Sequence, residues 1–99
     1  MNTYPFKSQF DGIYDLAISK RKHPNGQVRI DLIDSADGFP YATATVSIKD
    51  AFFEEDEVFV KNYSENAGVL DFLIENNIVH PPHREIPSGF VNILVCRLK

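Results

Sequence analysis

Two turn signals, His23-Pro24-Asn25-Gly26 and Asp34-Ser35-Ala36-Asp37-Gly38, cut a long period-two alternation into three pieces. Asn-Gly supplies the positive φ angles that a tight hairpin needs. Before it, Ile13, Asp15, Ala17 and Ser19 alternate with Tyr14, Leu16 and Ile18, which predicts a strand from Tyr14 to Lys22. After it, from Gln27, Val28, Ile30 and Leu32 alternate with Arg29, Asp31 and Ile33. Beyond the second turn, Thr43, Thr45 and Ser47 alternate with Ala42, Ala44, Val46 and Ile48, a third strand from Tyr41 to Ile48. Short turns join strands into an antiparallel meander with one polar face. Arg29 and Asp31 share a face and are expected to pair with Lys20 or Lys22 across the hairpin, at about 0.2–1 kcal/mol.

The other segments are less regular. Met1 to Gly12 carries Tyr4, Phe6 and Phe10 without a sustained period and reads as an N-terminal arm or short edge strand ahead of one domain over 13–99. Lys49 to Glu57 reads as a loop whose Phe52 and Phe53 plug an open end of the core, followed by a solvated acidic cluster. Val58 to Lys61 predicts a fourth strand. Ala67, Leu70, Leu73 and Ile74 lie at helical spacing, predicting one helix from Glu65 to Asn76. Its cap is either Asn62 with Glu65 or Ser64, and Asn76-Asn77 stops it. Ile78-Val79 is a short extended piece ended by Pro81-Pro82, and Phe90 to Leu98 alternates as the last strand. The expected fold is α+β: an antiparallel sheet of five to six strands with one helix packed on one face.

Composition removes several function classes. The 99 residues fit one small domain, and the formal net charge of -4 gives no general attraction for phosphate, so no direct nucleic-acid binding is expected. Apolar runs fall far short of the ~20 residues of a membrane span, and no basic region followed by an apolar core opens the chain. Cys96 is the single cysteine, which rules out an intramolecular disulfide and a thiolate cluster. A cytoplasmic protein without cofactor is expected, a monomer or a homodimer.

Two groups of residues are candidates for a site. Phe52 and Phe53 with Glu54, Glu55 and Glu57 form an acidic, aromatic surface, and His83 and Arg84 follow Pro81-Pro82, which fixes them at low entropy cost. Together these are the expected protein-binding residues, Arg84 being suited to a partner's carboxylate or phosphate. The alternative is a ligand pocket at the helix N-terminus lined by Tyr63, Ser64, Asn66 and His80, although Asn, Ser and Glu there also serve as caps. His80 and His83 point to opposite sides of an extended segment, so no metal is expected. Cys96 reads as a core thiol, and a dyad with His80 or His83 is disfavoured, leaving no catalytic residue assigned.

Val28 to Asp34, the Asp37-Gly38-x-Pro40-Tyr41-Ala42 turn, Glu57-Val58-Phe59-Val60, Phe72 to Asn77 and Arg84-x-x-x-Ser88-Gly89-Phe90 complete a pattern. It resembles a family of short uncharacterised bacterial proteins carried on conjugative elements, plasmids and phages. The resemblance spans about Ile13 to Leu98 and implies a small acidic accessory protein that acts by binding, including as an inhibitor of a host defence complex. An acidic surface can occupy a groove built for nucleic acid, since its Lys and Arg do not distinguish carboxylate from phosphate by charge.

Overall fold

The first hairpin of the computed structural model, which describes residues 2–8, 12–49, 51–63 and 66–99, turns where Asn25-Gly26 requires it. Gly26 takes φ 89° and its N–H donates to the His23 carbonyl at 2.9 Å. This turn joins β2 (Gly12–Lys22) to β3 (Val28–Asp34), and β1 (Thr3–Ser8) and β4 (Pro40–Thr43) complete a four-stranded antiparallel sheet in the order β1-β2-β3-β4. Thr3–Ser8 of the expected arm is therefore an edge strand, with Phe6 in the core. Phe10 lies outside the described residues. The inner face carries Phe6, Leu16, Ile30 and Leu32.

On the outer face, Asp31 is almost fully buried and takes bonds from Arg21 at 2.7 Å, Arg29 at 3.0 Å and the Thr43 hydroxyl at 2.9 Å. The expected lysine pairing is thus corrected by register. Ser19 pairs Asp31 and Arg21 pairs Arg29, whereas Lys20 and Lys22 face Ile30 and Val28, one residue out of phase and on the opposite face.

The predicted single sheet is two. β5 (Glu57–Val60), β6 (Arg84–Ser88) and β7 (Val91–Arg97) form a second antiparallel sheet in the order β5-β7-β6. The division arises inside the predicted third strand, whose alternation runs on while its partner changes. A register shift at Leu32/Ile33 bends β4, and the Ala44 N–H still donates to Ile30 O at 2.8 Å. The Ala44 carbonyl, however, accepts from Lys61 at 2.8 Å, Thr45 bridges Val60, and Val46 N–H donates to Phe59 O at 3.0 Å. Residues 44–46 thereby leave β3 and close the free side of β5, as chains do where they switch sheets.

Both faces of the second sheet are covered. Val58, Val60 and Cys96 pack toward the first sheet and α1 (Val69–Glu75), whose Val69, Leu70, Phe72 and Leu73 are buried. Phe59, Ile93 and Val95 pack on the other side under Val46, Ile48, Ala51, Phe53 and Tyr63. The helix is shorter than predicted. Gly68, at φ 89°, takes the N-cap position in a left-handed conformation that cannot continue the helix, and Asn62 Oδ1 reaches in from a distance to accept the Leu70 N–H at 3.0 Å. Ser64 and Glu65 lie outside the described residues. No helix among the described residues is long and apolar enough to cross a membrane.

The buried Gln27 side chain acts as a strand partner for Ile48, donating to its carbonyl at 2.7 Å and accepting its N–H at 2.8 Å. Gln27→Ala leaves that backbone pair unmatched and should cost about 1–3 kcal/mol in urea unfolding. The neighbouring His23 has a buried Nε2 without a hydrogen-bond partner among the described residues, and burial, aided by Arg29, holds its pKa below the ordinary 6.5. The unfolded chain therefore binds this proton more readily. Its contribution should be complete above pH 6.5 and decline as pH falls through the lower folded value, and His23→Phe should flatten that slope in denaturation midpoints.

Candidate functional site

Register sets the geometry of the site. Glu57 pairs Arg97 across β5 and β7, and Arg84 pairs Val95 across β7 and β6, so Glu57 and Arg84 project on the face that carries Phe59 and Val95. The Glu57 side chain is 2% exposed. Arg84 Nε donates to its Oε2 at 3.2 Å and Nη2 to its Oε1 at 3.1 Å, His83 Nε2 bonds Oε2, and the Glu54 N–H donates to Oε1 at 2.8 Å. The Arg84 guanidinium outweighs the opposing effect of burial, and with the Glu54 N–H and His83 it holds the carboxyl at a pKa of about 2. A carboxylate so saturated is a fixed anion at neutral pH and does not exchange protons there.

This anion organises the loop before it. Glu57 N–H donates to Glu54 O at 3.0 Å while Glu54 N–H returns to the Glu57 carboxylate, closing the turn 54–57 from both ends. Arg84 Nη2 also donates to the Phe52 carbonyl at 2.9 Å. Phe53 is half-buried, edge-on to Phe59 with centroids 6.2 Å apart. Phe52 is left 78% exposed, with its carbonyl held by Arg84 and its neighbour Phe53 packed on Phe59.

The structure thus brings together six of the expected protein-binding residues, Phe52, Phe53, Glu54, Glu57, His83 and Arg84, with Glu55 at the rim. It also corrects how they act. Glu57 is no part of a solvated acidic surface, because Arg84 and His83 draw it inside, and Arg84 serves this internal carboxylate. Glu54 and Asp56 share Arg97, at 3.2 and 2.7 Å. Arg97 was not among the expected residues, and its place in the alternation of the last strand, on the Glu57 face, was the available signal. Arg84–Ser88, outside every predicted strand, is strand β6, with the His83 N–H donating to Val95 O at 3.0 Å.

Of the alternative pocket Ser64 lies outside the described residues, and Tyr63, Asn66 and His80 do not line one cavity among the described residues. Asn66 is buried and its Nδ2 donates to Thr43 O at 2.8 Å. Tyr63 packs on the second core under the Lys61 ammonium, 5.4 Å from its ring centroid. His80 is exposed beside the end of β7, its N–H bonded to Arg97 O at 2.8 Å. The concavity beside Asn66 is lined by Tyr41, Thr43, Thr45 and Lys61, not by Tyr63 or His80. Cys96 faces the core between the sheets, away from His83, and burial pushes its thiol up to about 11, so it is not a thiolate at neutral pH. Among the described residues no three His, Cys, Asp or Glu side chains group as metal ligands. No protein-family model, curated protein or solved structure matches the chain.

Removing one partner of a buried ion pair strands the other charge. Arg84→Ala should cost about 3 kcal/mol in chemical denaturation, the lower end of the usual range because the arginine is itself one third open to water. The Glu57 contribution should be complete above pH 4.5 and be lost as pH falls toward about 2, and Glu57→Gln should remove that acid transition.

Proposed function

We propose that this protein is a non-enzymatic protein-binding module that docks through Phe52. The observation that carries the reading is the combination of an exposed aromatic ring with a locked backbone. Phe52 is 78% exposed, its carbonyl is tied to Arg84, and its neighbour Phe53 is anchored in the core. Aromatic anchors dominate the energetics of protein interfaces, and a loop fixed in advance loses little entropy on docking. The rim of Glu54, Glu55 and Asp56 is acidic, but Glu54 and Asp56 share Arg97, so charge assists orientation and the ring supplies the affinity. The accessory role on a mobile element, acting by contact on a host complex, follows from the family resemblance and fits such a surface.

Tagged protein retained on resin in lysate of a bacterial host provides the test. Phe52→Ala, which removes only an exposed ring, should leave the unfolding midpoint unchanged and abolish recovery of the partner seen with the unaltered protein. Equal recovery by the variant would sink the reading. Retention should weaken only modestly as salt rises past about 0.1 M, where exposed charges are screened beyond roughly 10 Å.

A further inference from the structure

One edge of each sheet is engaged by the protein itself. On the outer side of β4 the Thr43 carbonyl takes the Asn66 amide, and on the outer side of β5 residues 44–46 occupy the backbone of Phe59 and Lys61. The edges of β1 and β6 pair with no further strand among the described residues.

Hydrogen-bond phase shows what these two edges present. In an antiparallel ladder the N–H and C=O of one residue point to the same side, and successive residues alternate. The Asp15 carbonyl accepts the Ser35 N–H at 3.0 Å, so Asp15 turns toward β3 and its partner across β1, Pro5, turns outward with Thr3 and Lys7. In the second sheet Phe59 O accepts from Val46, so Phe59 turns away from β7, and its partner Val95 turns toward β6, where its carbonyl accepts from His83. Asn92, three residues back, has the opposite phase, and its partner Pro87 faces outward with Glu85. Both prolines are exposed, and both put a nitrogen that cannot donate at the outer edge of a sheet.

We propose that Pro5 and Pro87 shut the two remaining edges against pairing with a second copy of this chain. A two-fold pairing centred on Pro5 sets two prolines opposite one another and leaves both central carbonyls without donors. On β6 the ring leaves Glu85 as the outward-facing strand residue able to donate. Edge strands are templates for self-association, and an outward proline is a known means of blunting them.

The unaltered protein should keep a monomer mass by light scattering from micromolar to millimolar concentration. P5T/P87T, which restores both donors at exposed positions, should fold with an unchanged circular dichroism spectrum and double its mass as concentration rises. P5T and P87T are read singly as well, so that a folding defect in the double variant does not mask the effect. In the P5T background, K7P returns a ring to the same outward phase and should restore the monomer. An unaltered protein that dimerises, folded variants that stay monomeric throughout, or a K7P change that leaves the dimer in place would each overturn the proposal.

Discussion

The carboxylate of Glu57 is a full negative charge taken out of water, and the structure around it is what that charge requires. Desolvation works against its ionised form; Arg84 above all, with the Glu54 N–H and His83, outweighs that effect. Those donors come from two separate parts of the chain. Arg84 opens β6, His83 precedes it, and Glu54 ends the segment that crosses the second core. One buried anion therefore fixes the start of β5 to the start of β6 and the loop of residues 52–57 to both. The same bonds leave Phe52 outside. Aromatic presentation and acid stability consequently share a cause.

The crossing at residues 44–46 is the second element on which the architecture turns. Its backbone serves two sheets in succession, bonding Ile30 on one side and Phe59 and Lys61 on the other. Gln27 then supplies, with a side-chain amide, the pair of hydrogen bonds that a strand would otherwise give to Ile48. These bonds satisfy the backbone of Ala44, Val46 and Ile48 where the segment lies across a buried sheet face. The bonds of residues 44–46 also close β5, whereas β1 and β6, which pair with no further strand among the described residues, each turn a proline outward.

Much of the site was written in the sequence as a set of residues but not as a set of contacts. Phe52, Phe53, Glu54, Glu57, His83 and Arg84 are named by composition and by Pro81-Pro82, yet two segments separated by the helix had to meet before Glu57 became internal. An acidic run in a chain reads as solvated because carboxylates ordinarily are. Only the arrival of a guanidinium on the same face of the second sheet reverses that reading. Arg97 was silent for a related reason, since an arginine ending an alternating strand is legible as exposed but its acidic partners lie on a loop.

Local chemistry determined the turns and the faces. Gly26 supplies the positive φ of the first hairpin, period-two alternation decides which side chains share a face, and α+β with one helix follows from a single stretch of helical spacing. Tertiary structure alone decided where one sheet ends and the next begins, which arginine reaches Asp31, and which carboxylate is buried. The physical reason is that periodicity fixes the direction of a side chain from its own backbone. The partner of a backbone edge or a charge depends instead on register and on bends, and those are set by residues far away in the chain.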